Sequence, residues 1–413
     1  MPQETSTLSS RHAWVLALIL LIPVVSGVIM LAPERAIILG LANITILLLP
    51  LAMLAAWPEL RAQLIPRNRV AQLCLLVLAY GVALAFTRAV HTGFSLLTFA
   101  LWPAALIAGR GMQLAIRAQG PASARAALIA LLAAGPLYIL LLPVMEALYS
   151  DHIDWSRSIP AFNHVRRMGH LLTLSAAAGV GLVAMGAFAN RTAPQRAALH
   201  ALAIVALALA IWTGARGIWL ALPAGCALSL GLTAISGVRI RWRALAAVVI
   251  CACVLSVILP SPGPLLGVVE EIVSTANRLG NANRLTSGRL AIWAETLSIL
   301  EGAPVTGYGW GQFTFWQLRF AIPQVHNMPL EVLLGLGLPM GLLGLGLFAW
   351  LWAGAQIRVR RAAADGADWL VPALCILNTM VIYSLVSGVF FYSVGGVLTG
   401  LAWGICYAPR PDP

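Results

Sequence analysis

The sequence predicts an all-α, polytopic integral membrane protein of about twelve transmembrane helices. Three observations carry that expectation. Hydrophobic residues make up 60% of the 413 and charged residues only 10%, with a mean hydropathy of +0.89, whereas soluble domains carry about 25% charged residues. Apolar runs close to the ~20 residues that cross the hydrocarbon recur along the chain between polar breaks. The breaks also alternate in charge, with arginine concentrated in every second one.

The runs fall at 13–32, 36–57, 70–87, 93–109, 126–145, 169–189, 197–213, 217–236, 244–260, 328–352, 369–388 and 390–407. The first follows Arg11 and lacks a small-residue cleavage site, so it reads as a retained helix rather than a removed signal. Runs two to five are joined by short breaks. Those at Arg61, Arg67 and Arg69 and at Arg110, Arg117 and Arg125 are basic and read as cytoplasmic. With the N-terminus inside, 16 of the 26 arginines but only five of the 14 acids fall on the cytoplasmic side. Both termini are therefore expected in the cytoplasm. The chain contains no lysine, and its net charge of +12 reflects this topology rather than a nucleic-acid surface. All six cysteines lie inside apolar runs; they read as packing residues, with neither a disulfide nor a zinc site implied.

Two connections are long, and both face outward. The first, 146–168, reads EALYSDHIDWSRSIPAFNHVRRM. The second, 261–327, divides the chain into a block of nine spans (1–260), this loop, and a final block of three spans with a short tail (328–413). Within the loop, Leu290, Trp293, Leu297 and Leu300 recur at helical spacing behind Ser287, which predicts an amphipathic helix at the membrane surface with Ser287 as its N-cap. Since the cytoplasmic breaks are short and nearly all arginine, the chemistry is expected outside.

Candidate residues follow from that side. His326 and Asn327 precede the tenth span. Asn327 can cap a helix starting at Met328, Pro329 fits its first turn, and Glu331 suits its positive end. His326 either decorates that helix end or serves a site, and the preceding Gly307, Gly309, Trp310 and Gly311 favour a site, because glycines let backbone approach a ligand closely. Arg216, in WTGARGIWL, sits at an outward turn between two apolar runs, where arginine costs about 2.5 to 3.5 kcal/mol at membrane depth. It is either a headgroup anchor or an anion fork. Arg289 opens the amphipathic helix four residues before Trp293, as a solvated arginine or a second anion contact. Asn163, His164, Arg166 and Arg167, with His170 nearby, form a polar cluster where the first outward loop re-enters the membrane. Arg88 and His91 are anion contacts or headgroup anchors. No outward pattern of His, Cys, Asp or Glu suggests a bound metal.

An outward TGARG turn, an SGRLAIW helix, a GYGWG segment and an HNMPLE helix start, in that order, resemble the O-antigen ligases and related polymerases of bacterial envelope polysaccharide synthesis. The motifs occupy residues 212–217 and 286–337, and the resemblance in architecture extends over the whole chain. It implies a GT-C-like fold in the bacterial inner membrane with its site facing the periplasm. The implied partners are an undecaprenyl diphosphate-linked glycan as donor, a lipid A core as acceptor, and membrane lipids, with no nucleic acid and no cofactor. By resemblance, Arg216 and Arg289 hold the diphosphate and His326 meets the acceptor hydroxyl. The family usually carries a serine before the first arginine, where this chain has Ala215; the guanidinium fork is kept.

Two cationic forks can neutralise a diphosphate leaving group without a metal, and histidine can take the proton of a sugar hydroxyl. The expected function is therefore metal-independent, inverting ligation of O-antigen to the lipid A core. Polymerisation of the glycan on its own carrier is the nearest alternative, and glycosylation of protein is a further variant. A transporter or lipid flippase would instead need buried ionisable residues in mid-span and paired broken helices. The spans are nearly free of acids, and two isolated outward arginines suit transfer better.

Overall fold

A computed structural model describes residues 44–56, 68–149, 159, 165–261, 266–278, 280–281, 285–316 and 324–408. These are helical throughout, with no strand among them. The first expected span, 13–32, lies outside the described residues, and α1 (Ile44–Ala56) covers part of the second.

Helix α2 (Arg69–Thr87) is capped by Asn68, whose side chain accepts from the Ala71 amide at 2.8 Å. Helices α3 (Thr92–Phe99) and α4 (Leu101–Gln119) run on as one 28-residue span. They are followed by α5 (Pro121–Tyr149), α6 (Val165–Ala184), α7 (Ala193–Trp212), α8 (Arg216–Ile235) and α9 (Trp242–Ile258). In the late connection lie α10 (Val268–Ala276), α11 (Arg289–Glu301) and the single turn α12 (Phe313–Trp316). Helices α13 (Met328–Ala364), α14 (Val371–Ser384) and α15 (Ser393–Cys406) complete the chain. Seven helical segments among the described residues are long and apolar enough to cross a membrane, and α9, α14 and α15 are shorter apolar helices.

Helix α6 is the axis of the bundle, with 94% of its apolar window buried. Its small residues let neighbours approach closely. The Ser175 hydroxyl accepts from the Gly135 amide of α5 at 2.9 Å and donates to the Leu131 carbonyl at 2.7 Å, so it enters the helical ladder just ahead of Pro136. A Cβ at Gly400 or Gly404 of α15 would run into the backbone of Ala105 or Gly109 of α4, so that pair packs through small residues spaced four apart. Outer helices instead turn large apolar side chains outward, among them Ile250, Val254 and Ile258 of α9. Cys251 and Cys253 share that exposed helix, while Cys226, Cys375 and Cys406 are buried; all six cysteines are free.

Helix α13 extends beyond the expected 328–352 and is broken at Gly337, which has φ 74° and ψ 170°. Pro339 has no N–H to give the Gly335 carbonyl. The GYGWG segment supplies the missing donors: the Tyr308 amide bonds to the Leu334 carbonyl and the Gly309 amide to the Gly335 carbonyl, both at 3.0 Å. The Leu338 amide in turn reaches the Pro304 carbonyl at 2.7 Å. Backbone freed at membrane depth is thus satisfied by protein, and the glycine-rich segment is fastened to the helix that begins after His326.

Two sequence expectations fail on α11. Ser287 is not its N-cap: that position belongs to Gly288, in the left-handed region at φ 77°. The buried face is Ile292, Thr296 and Leu300, not the 290/293/297/300 stripe. Leu290 and Leu297 are exposed, because the contacts that select a face come from distant Phe313, Val325 and Leu334.

Candidate active site

One end of the bundle gathers the turns at 88–91, 213–216 and 385–392 and the late connection. Arg216 opens α8, directly after Ala215 and the left-handed Gly214. A side chain at Gly214 would press on the Gly267 carbonyl and on Glu271, so glycine lets α10 dock here. The Gly267 amide donates to the Trp212 carbonyl at 2.9 Å, and Trp212 Nε1 donates to the Pro260 carbonyl at 3.0 Å.

That docking gives Arg216 a partner the sequence reading did not foresee. Its Nε lies 2.8 Å from Glu271 Oε1, with both side chains about four-fifths buried. Nη1 donates to the Leu285 carbonyl and Nη2 to Ser287 Oγ, the latter at 2.5 Å. Arg216 is therefore not an isolated cation but a guanidinium fork already holding one carboxylate and a hydroxyl. Two residues beyond Ser287 in the chain stands half-buried Arg289, so the segment that Arg216 holds is the one that leads into Arg289.

The helix that starts at Arg289 leads to the histidine. Trp293, one turn on, donates from Nε1 to the Val325 carbonyl at 3.2 Å. The Val325 amide donates back to Glu331 Oε2 at 3.1 Å, which folds 325–327 over the first turn of α13. Asn327 caps that turn as expected: its Oδ1 accepts from the Leu330 amide at 3.0 Å. Its Nδ2 also donates to the Leu385 carbonyl at 2.9 Å, tying the cap to the turn after α14. His326, between them, is half-buried and left-handed at φ 58°. The only other non-glycine residue with positive φ among those described is Ser287, at 57°. Such conformations cost about 1–3 kcal/mol each and persist where the surroundings enforce them; here both occur in this one constellation.

A small cavity of about 10 Å³, room for about one water, opens beside His326, lined also by Gln324, Glu331, Trp310, Gly388 and Phe390. Trp310 is 2% exposed and packs edge-on against Trp102, with ring centroids 5.5 Å apart. Gly307, Gly309 and Gly311 all have positive φ, and protein occupies the room they leave: α13 backbone, Ala89 and Thr98 respectively. Trp310 and Met328 also line a second, almost wholly apolar cleft of about 110 Å³ between α2, α4 and α13. Trp310 and Met328 thus stand between the two cavities, in the wall of each.

Arg88 ends α2 with its side chain exposed, and the next turn joins the glycine-rich segment through His91 and Gln312. Asn163 and His164 fall outside the described residues, and of Arg166 only its position in the first turn of α6 is described. Arg167 is half-buried with its guanidinium 4.7 Å above the Tyr392 ring. Glu271, Gln324, Tyr392 and Ser387 carried no sequence signal, since single polar residues far apart in a chain form no pattern. No group of three or more His, Cys, Asp or Glu that could hold a metal occurs among the described residues.

No curated protein matches the chain. A family model does, over a stretch that includes Arg216, Arg289 and His326. The described residues are helical, seven of their helices are long and apolar enough to cross a membrane, and residues 201–349 match a family model described as O-antigen ligase.

Proposed function

We propose that the protein is a membrane glycosyltransferase that moves a glycan from an undecaprenyl diphosphate carrier to a hydroxyl of a lipid A core at the extracytoplasmic face of the inner membrane. The observation that carries this reading is the continuous link from Arg216 through Ser287 to Arg289, and from Trp293 through Val325 to His326. An anion fork and a strained histidine are joined by one helix. The apolar cleft that shares Trp310 and Met328 with the His326 cavity suits a substrate with a hydrocarbon tail and a polar reacting head.

In the proposed reaction neutral His326 takes the proton of the acceptor hydroxyl. The oxygen attacks the anomeric carbon, the bond from that carbon to the phosphate oxygen breaks, and the electron pair leaves with the diphosphate. Arg216 and Arg289 offset the charge that develops there. Glu271 occupies the position an anionic oxygen would take on Arg216, so binding exchanges one anion for another. Histidine as base contributes about 10² to 10⁴-fold.

Purified protein in nanodiscs, given lipid diphosphate-linked glycan with and without lipid A core, tests the reading. Product on the core, retained in excess chelator, is expected; longer carrier-linked chains would mean polymerisation instead. Arg216→Ala should abolish most transfer, and Arg216→Lys should restore little, because a point charge cannot span two oxygens. Normal transfer by Arg216→Ala would remove the anion fork from the account.

A further inference from the structure

We propose that Glu271 is the residue that releases the spent carrier: a resident carboxylate that yields Arg216 to the diphosphate on binding and reclaims it as the product leaves. The proposal rests on the glycosyl-transfer reading and gives a role to a residue of α10. Glu271 Oε1 lies 2.8 Å from Arg216 Nε, and both side chains are about four-fifths buried. Thr275 Oγ1, one turn on, donates to the same oxygen at 3.2 Å and steadies the carboxylate in that position. The Leu285 carbonyl and the Ser287 hydroxyl also sit on the guanidinium. Those two partners are neutral; Glu271 carries the charge that an incoming phosphate oxygen must displace.

The seating of α10 allows that exchange. Its entry is anchored: Leu266 is fully buried, its carbonyl accepts from Ser261 Oγ at 2.6 Å, and the Gly267 amide bonds to the Trp212 carbonyl at 2.9 Å. Beyond that anchor no residue of α10 is buried, and Val269, Ile272 and Val273 are each more than half exposed. Turning Glu271 away, or shifting the helix that carries it, therefore uncovers little apolar surface. The contact with Arg216 opens without disturbing the core.

The charges of substrate and product give such a residue its use. A glycan-linked diphosphate carries about two negative charges, and transfer frees its terminal phosphate, which adds about 0.5 to 1 more at neutral pH. Arginines that stabilise the departing group therefore hold the product more tightly than the donor, and turnover slows unless something offsets that grip. Losing the phosphate without regaining a carboxylate would leave the Arg216 charge poorly compensated and largely out of water, which is costly. Glu271 removes that cost. It neutralises Arg216 before the donor binds, and its return compensates the guanidinium as the diphosphate departs. No covalent bond changes in this exchange; one anion replaces another.

Binding of undecaprenyl diphosphate to the full-length protein in nanodiscs of zwitterionic lipid tests the proposal. Glu271→Gln keeps the shape of the side chain and removes its charge, and it should bind the carrier about tenfold or more tightly than wild type. A residue that merely positioned Arg216 would weaken binding when changed. Glu270→Gln, the same charge change on the exposed neighbouring side chain, should stay within about twofold of wild type. In an Arg216→Gln background, Glu271→Gln should alter binding by no more than about twofold, since the exchange needs the guanidinium. In steady-state transfer Glu271→Gln should lower kcat and the donor KM together, while the first turnover keeps its rate. If Glu271→Gln does not fold, Glu271→Asp, which draws the carboxylate back by one methylene, should show the same tightening to a smaller extent. Binding that is unchanged or weakened in the variant overturns the proposal. Carrier binding by wild type that Arg216→Ala leaves unaltered is a different failure: it removes the anion fork, and with it the reading on which the proposal rests.

Discussion

At the scale of single residues, the proposed site is built from side chains whose backbone is held out of its preferred region. His326 at φ 58° is the clearest case. A glycine there would relieve a left-handed conformation worth about 1–2 kcal/mol, against about 0.5–1 kcal/mol of extra chain entropy in the unfolded state. His326→Gly should therefore unfold no more easily than wild type, while transfer falls by about 10² to 10⁴-fold. A clear drop in melting temperature with transfer preserved would make His326 a helix-end residue and nothing more. Asn327 was legible in the sequence because capping is local: an Asn before Met-Pro needs no distant partner to be recognised. Its second bond, to the Leu385 carbonyl, was not, and neither was Glu271 opposite Arg216. Both depend on segments that folding alone brings together.

At the scale of elements, composition located the helices well from α2 onward, since hydrocarbon thickness sets span length whatever the details of sequence. Faces and breaks were harder to read. Helix α11 has apolar residues on more than one side, so its periodicity did not determine which side Phe313, Val325 and Leu334 would cover. The break in α13 looked like an uninterrupted apolar run, because Gly and Pro are tolerated in membrane helices once other groups satisfy the freed backbone. Residues 304–309 do so here, so the break offers no open backbone of the kind a transporter uses to bind ions. Gly337 is the hinge of that arrangement. A Cβ on it would strike the Val305 carbonyl, and its φ of 74° disfavours any other residue. Gly337→Ala should cost about 1–3 kcal/mol in thermal unfolding and loosen Trp310 in the His326 cavity. Unchanged stability would mean that the segment is not fastened as described.

At the scale of the whole molecule, the proposed site residues share one end of the bundle, and the arginine asymmetry leads us to propose that this end faces outside. Arg117, bonded to the Ala408 carbonyl at 3.0 Å, and Arg241, whose amide bonds to the Ala184 carbonyl at 2.9 Å, mark the other end. Cysteines introduced near residues 120, 240 and 360 should resist an impermeant thiol reagent in spheroplasts, and one near 280 should react; the reverse pattern would move His326 to the cytoplasm. The orientation also bears on the chemistry. With the arginines on the leaving diphosphate and His326 on the attacking hydroxyl, transfer is one displacement at the anomeric carbon. The most direct measurement is the anomeric configuration of the new linkage, read by NMR on product made by the reconstituted protein. The account predicts inversion relative to the carrier-linked sugar; retention would contradict it.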